Sequence, residues 1–159
     1  MFDVYFVTNI PRLQHGSWLG LEGEIVLDDH TERFIASLAI WSRGDYERHW
    51  SNAARKLLAD GRTAFVTSAF HFWWPMWRRG PNIIVHEQLL LPDSLERKFN
   101  PNYPLESVPD YSSDTDPGFA ISEWYLYSAD FEAFVARRGT RHSDTPAARS
   151  RDGSCDRLP

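Results

Sequence analysis

Two stretches of apolar–polar alternation, Trp18 to Asp28 and Glu32 to Trp41, restrict what this chain can fold into more than any other feature. Side chains on a strand point alternately to opposite faces, so alternation builds a sheet that is packed on one side and wet on the other. In the first stretch Leu19, Leu21, Gly23, Ile25 and Leu27 share one face, and Glu22, Glu24 and Val26 share the other. In the second, Phe34, Ala36, Leu38 and Ile40 line up on one face. The polar Asp28-Asp29-His30 between them reads as a turn, which predicts an antiparallel hairpin.

The flanking segments extend this sheet and add helices. Asp3 to Thr8 is β-branched and aromatic and reads as a strand. Ser42 stands where a helix N-cap belongs, with Asp45 three residues on as a short-chain form of the capping box. Tyr46, Trp50, Ala53, Ala54, Leu57 and Leu58 then recur at helical spacing, and Gly61 is a stop signal, so Arg43 to Asp60 is a predicted helix. Thr63 to Trp74 and Ile83 to Leu91 read as two further strands, with Arg78 to Asn82 at the tip between them. Pro92 to Gly118 reads as a long loop with a helical turn near Asp93–Phe99. Ala120 to Tyr127 is a last strand. Ser128 is expected to cap a closing helix, Ala129 to Arg138, with Arg137 and Arg138 in its last turn as the helix dipole favours. Residues 139–159 hold almost no large apolar side chains and read as a disordered tail. The fold class is therefore α+β: mainly antiparallel sheet with two principal helices in a single domain, 1–138.

Charge and cysteine content bear on function. Net charge is −5; four Arg against three Asp give the last 21 residues +1, so 1–138 carries −6. Nucleic-acid affinity comes largely from Lys and Arg, so an acidic domain is a poor phosphate binder and is suited to meeting a basic partner. The same charge also serves solubility alone. The single cysteine, Cys155, excludes an intramolecular disulfide and fits a reducing compartment. Met1 to Ile10 carries Asp3 and no basic run, so it does not read as a signal peptide, and no apolar run is long enough to span a bilayer. The cytoplasm is the expected location, without a membrane or direct nucleic-acid partner.

Three segments then combine into a resemblance. Leu38-Ala39-Ile40-Trp41, followed by Asp45-Tyr46 and Trp50, is a strand ending in Trp and then D-Y-x-x-x-W on a helix. Ser122-Glu123-Trp124 opens the last strand, and Ala129 to Phe134 begins the closing helix. In this order and spacing, across roughly 20–138, the chain resembles the immunity proteins of contact-dependent growth inhibition systems, the CdiI type. The resemblance implies a protein without catalysis of its own that binds and blocks a toxin domain delivered by a neighbouring cell. Trp41, Tyr46, Trp50 and Trp124 fall on apolar faces and Asp45 at a cap, so this signature reports fold rather than toxin contact.

Contact residues follow from a separate argument. An inhibitor of a basic nuclease should present fixed carboxylates and a few aromatic anchors. Glu22, Glu24, Asp28, Asp29 and Glu32 on the hairpin form one candidate set, and Glu106, Asp110, Asp114 and Asp116 in the long loop form another. Trp73, Trp74 and Trp77 beside Pro75 are the candidate anchors, with sheet packing as the competing role. No nucleophile elbow, P-loop, dinucleotide fingerprint or zincin motif is present, which argues against an enzyme. His71 and His86 across a hairpin, with Glu87, are the one arrangement that could hold zinc, and an ordinary hydrogen-bonded role fits them as well. No metal or cofactor is expected. The readings left are an immunity protein, a single-strand nucleic-acid binder that stacks bases on the aromatics, and a small hydrolase with an unrecognised site.

Overall fold

The computed structural model describes residues 1–14, 17–68, 72–89, 108–112 and 122–142. Its elements run β1 (Phe2–Phe6), β2 (Arg12–Gln14), β3 (Trp18–Leu27), β4 (His30–Ser37), α1 (Arg43–Asp60), β5 (Arg62–Ser68), β6 (Phe72–Arg79), β7 (Asn82–His86), β8 (Gln88–Leu89), β9 (Glu123–Tyr127) and α2 (Ser128–His142). The predicted α+β class with two principal helices is what forms.

The alternating hairpin is the centre of the first sheet. β3 pairs antiparallel with β4 from Gly20↔Ser37 to Leu27↔His30, while β1 and β2 share its other edge. Asp28 adopts φ 60°, the left-handed conformation that a tight turn requires and that Asp tolerates. The inward face holds Leu21, Ile25, Leu27, Phe34 and Ala36, all buried as the alternation predicts. Leu19 and Ile40 depart from it and stand 51% and 46% exposed.

The strand expected to end at Trp41 stops at Ser37. Ser37 Oγ accepts the Ala39 N–H at 3.3 Å, and its carbonyl accepts the Tyr46 hydroxyl at 2.9 Å. A serine that bonds its neighbours' backbone offers the chain a turn in place of the ladder, and Leu38 to Ile40 take that turn. Trp41 then reaches α1 from outside the sheet, against Tyr46 and His49.

α1 begins and ends where its cap residues stand. Asp45 N–H donates to Ser42 Oγ and Ser42 N–H donates to Asp45 Oδ2, the reciprocal pair of a capping box. The Ser42 hydroxyl is the main cause that lowers the Asp45 pKa. Gly61 closes the helix at φ 81°.

The second sheet has the order β5-β6-β7-β9, with β8 also on β6. The single strand expected over Thr63 to Trp74 is two strands, β5 and β6, folded back on each other from Arg62↔Trp77 to Ser68↔Phe72. A run without Gly, Pro, Asn or Asp gives little local signal of reversal. Arg78 to Asn82 forms the tip between β6 and β7 as predicted, with Gly80 at φ 61°. Pro75 sits inside β6, which is flanked on both sides. It has no N–H to give, and pairing with β7 and β8 lapses between Met76↔Val85 and Trp73↔Gln88.

One apolar core joins both sheets and both helices. Phe2 of β1 stacks on Phe131 of α2 at 4.1 Å and meets Phe65 of β5 edge-on at 5.1 Å. The β5 edge is covered by α1: Trp50 Nε1 donates to the Val66 carbonyl at 2.8 Å, and His49 Nε2 accepts the Val66 N–H at 3.0 Å. Both backbone groups of an edge residue are thereby satisfied by side chains of one helix. α2 lies along β1 in turn, where Arg137 and Arg138 donate to the carbonyls of Phe2 and Val4.

Two expectations about α2 change. Its helical backbone runs four residues past the expected end at Arg138, to His142. Ser128 Oγ is buried without a partner and is not a cap. Asp130 Oδ2 instead reaches back to the Tyr127 N–H at 3.1 Å. The tail from 143 onward lies outside the described residues.

Candidate functional site

The hairpin carboxylates do not act as one group. Glu22 and Glu24 project from the outer face of the first sheet, where Arg33 of β4 bridges them at 3.2 Å and 3.1 Å. Glu24 also accepts the Tyr5 hydroxyl at 2.5 Å, and that bond is the first cause of its lowered pKa. Glu32 lies one residue from Arg33 and so on the other face, 3.8 Å from His30. It meets Glu87 there, whose pKa is raised first by burial and then by Glu32. Asp28 and Asp29 are exposed at the hairpin turn, and Asp28 holds the N-terminal ammonium at 3.0 Å.

Of the loop carboxylates, Asp110 is described: it is exposed and paired with Arg62 at 2.6 Å. Glu106, Asp114 and Asp116 lie outside the described residues.

The aromatic anchors are corrected by burial. Trp74 is 1% exposed and Trp77 5%, and Trp73 is half-buried. Successive residues of β6 point to opposite faces, and both faces are covered. Trp74 packs into the main core and bonds Thr67 Oγ1 at 3.2 Å. Trp77 faces the other way, under Val108 and Tyr111, and donates to the Pro109 carbonyl at 2.8 Å. An indole so enclosed cannot be an anchor for a partner without local unfolding.

The signature residues are structural for the most part. Trp41, Tyr46 and Trp50 are buried around α1, and Asp45 is the cap partner of Ser42. Trp124 packs on Trp74 and His30, and Ser122 is exposed. Glu123 has the most connections. Its Oε2 accepts His86 Nε2 at 2.6 Å and the Tyr111 hydroxyl at 3.0 Å, and Oε1 accepts from Tyr125. Burial raises the Glu123 pKa, but the bonds from Tyr125, His86 and Tyr111 prevail and lower it. The Tyr111 bond, with that from Trp77 to the Pro109 carbonyl, ties 108–112 to the sheet. His86 is thus a partner of Glu123 and a ring neighbour of Trp77. His71 lies outside the described residues, and among those described no group of three metal-ligating side chains gathers.

Glu123→Gln is expected to weaken the hold on 108–112 by about 1–2 kcal/mol, since a charged acceptor becomes neutral. Amide exchange at Tyr111 and Ser112 should accelerate roughly tenfold while that of α1 stays unchanged. Exchange at wild-type rates would show that packing of Trp77 alone holds the segment.

Among the described residues, two of the clefts bear on function. One, of about 390 Å³, lies between Arg62, Trp77, Arg79 and Tyr111. Its cations are engaged by the protein itself: Arg62 by Asp110, Arg78 by the carbonyls of Leu58 and Gly80, and Arg79 over the Tyr111 ring. The other, of about 340 Å³, lies at the outer face of the first sheet, with Ile10 and Ile35 as apolar lining and Thr8, Arg12, Gln14 and Glu22 as polar lining. Sequence reasoning missed it. Its walls come from three separate segments, and its floor is Gly20, where an added Cβ would stand 2.5 Å from Ile35 Cγ2.

Comparison with known proteins decides the family. The CdiI N-terminal domain matches residues 36–134, which include β5 to β7 and every signature position from Trp41 to Trp124. The chain belongs to the CdiI N-terminal domain family. The resemblance carried by D-Y-x-x-x-W and S-E-W is borne out. A chain of a solved structure, the CdiA-CT/CdiI toxin and immunity complex from Enterobacter cloacae, shares the fold of this CdiI-family chain. The TM-score is 0.76 at 18% identity, over 88% of this chain and 99% of that one. Among curated proteins no sequence matches the chain. Among the described residues no helix is long and apolar enough to cross a membrane.

Proposed function

We propose that this CdiI-family chain is a stoichiometric inhibitor: it binds its cognate toxin domain, a basic nuclease, in the cytoplasm and covers its active surface. The match of the CdiI N-terminal domain to 36–134 carries this reading. The fold shared with a chain of a CdiA-CT/CdiI toxin and immunity complex supports it. Inhibition is by binding, not catalysis. The −6 charge of 1–138 suits a basic partner, and Glu22, Glu24, Asp28, Asp29 and Asp110 are the described carboxylates placed to attract one.

Growth rescue tests the reading. The chain is co-expressed with the toxin domain encoded beside it, and the pair is isolated. Rescue with a one-to-one complex is the expected result. A folded chain that neither rescues growth nor binds the toxin would exclude this function. Electrostatic attraction makes a further demand. The association rate should fall at least about tenfold between ~20 mM and ~500 mM salt, because the Debye length shrinks severalfold over that range. A rate indifferent to salt removes charge steering. Charge reversal of Asp114 and Asp116 should slow association if the long loop contributes, and an unchanged rate would remove that loop from the surface.

A further inference from the structure

A strand at the end of a sheet offers a row of backbone groups to whatever can pair with it. α1 takes up those of β5 at Val66, and α2 takes up carbonyls of β1. β9 ends the order of the second sheet and pairs on one side, with β7. Its register fixes which groups face outward. Ser128 N–H donates to the Pro81 carbonyl at 2.8 Å, one step beyond Tyr127↔Asn82. Along an antiparallel strand the backbone groups of successive residues point to alternate sides. Leu126 and Trp124 therefore bond β7, while Glu123, Tyr125 and Tyr127 turn their groups away from it. Tyr127 agrees, since its N–H meets Asp130 Oδ2 at 3.1 Å instead of β7. No described residue takes the backbone N–H or C=O of Glu123 or Tyr125.

This edge is also unguarded. β9 has no Lys, Arg or Pro and no bulge. Its one charge, Glu123, is drawn over the sheet toward His86 and Tyr111. Beside it Tyr125 and Tyr127 stand 63% and 65% exposed. Tyrosines at such positions are favoured contact residues.

Charge at the Tyr127 end selects the occupant. Asp130 lies 3.4 Å from the N-terminal ammonium, which Asp28 holds at 3.0 Å, and Asp29 is exposed next to Asp28. Three carboxylates thus meet one ammonium there. Arg79, on the same face as Tyr127, stands two strands in from the edge over the Tyr111 ring. An open edge beside surplus carboxylates is complementary to an extended segment that carries Lys or Arg.

We propose that β9 is the docking edge for the cognate toxin domain, which adds an extended segment to the second sheet through the backbone of Glu123 and Tyr125 and brings a basic side chain to Asp28 and Asp29. The inference rests on the immunity reading and locates its contact.

Amide exchange of the full chain, alone and with the toxin domain, tests it. Exchange at Tyr125 is expected to slow at least about a hundredfold in the complex, while that of Arg33 and Ile35 on β4, which pairs only with β3, stays unchanged. Affinity provides the second arm. Tyr125→Pro removes an outward N–H and no bond to β7, and Tyr125→Ala keeps that N–H. The proline variant should bind at least about tenfold more weakly than the alanine variant. Asp28→Asn with Asp29→Asn should weaken binding at least about tenfold, and asparagine suits the left-handed backbone of Asp28. Should the proline variant lose its circular dichroism signature, exchange in the wild-type chain decides. In a chain that binds the toxin, unchanged exchange at Tyr125, or a folded proline variant that matches alanine, overturns the docking edge and leaves the immunity reading intact. Wild-type affinity in the asparagine variant overturns the basic side chain. A free chain that is a dimer with Tyr125 already protected assigns the edge to a second copy and overturns the proposal. A wild-type chain that does not bind the toxin overturns both readings.

Discussion

Trp50→Ala is expected to bring the protein to the edge of unfolding. Trp50 is fully buried between Phe6, Phe34 and Tyr46. Truncating a buried Trp to Ala costs about 3–5 kcal/mol in transfer and cavity terms. Here its indole N–H also satisfies the Val66 carbonyl at the covered sheet edge, and leaving that acceptor buried adds about 1–3 kcal/mol. The total rivals the whole stability of a typical domain, about 5–15 kcal/mol. Trp50→Phe separates the two parts: it keeps most of the packing and removes the donor, so it should cost about 1–3 kcal/mol. Urea unfolding of both variants checks this, with the alanine midpoint at least about 1 M below that of phenylalanine. A phenylalanine midpoint equal to that of wild type would show that the hydrogen bond to Val66 contributes almost nothing beyond shape.

The second large effect is on pH. His49 is fully buried, and burial lowers its pKa to about 3, with the Ala64 backbone opposing only a small part of the shift. Its Nε2 accepts the Val66 N–H, so a proton there would set donor against donor. The ordinary value is about 6.5, so the unfolded chain binds a proton between pH 6.5 and 3 that the folded chain refuses. The contribution of neutral His49 is therefore fully present above pH 6.5 and is lost as pH falls toward 3. The slope is about 1.4 kcal/mol per pH unit, on the order of 3 kcal/mol by pH 4.5. His49→Gln keeps an acceptor for Val66 and does not titrate. The stability gap between wild type and this variant should move in favour of the variant by about that amount between pH 7.5 and pH 4.5. Carboxylates titrate alike in both chains and cancel. A gap that stays constant with pH would mean that water reaches His49 in the folded state.

Both predictions concern one backbone residue, and this bears on what the CdiI family signature records. Trp50 belongs to the D-Y-x-x-x-W segment, and its work is to fasten α1 across the β5 edge. Asp45 completes the helix cap, and Glu123 ties 108–112 to the second sheet. The signature thus preserves an internal frame. The outer face of the first sheet and the hairpin turn lie mostly outside the matched span of 36–134, which starts within β4.

The features legible in the sequence are those fixed by neighbours along the chain. Ser42, Asp45 and Gly61 bound α1 because caps act within four residues. The β3–β4 hairpin follows from alternation and a polar turn, since period two and a short connection leave little choice of partner. Tertiary structure decided the rest. The reversal inside Thr63 to Trp74 has no Gly, Pro, Asn or Asp to announce it, and α1 covers the free edge of β5. Trp74 and Trp77 look alike in sequence as candidate anchors. Both become interior because β6 is covered on its two faces, one by the main core and one by a segment more than thirty residues away. The cleft over Gly20 and the His86–Glu123 pair likewise join residues distant in the chain. Periodicity reports which face of an element is apolar. What covers the opposite face is a property of other segments, and only their packing supplies it.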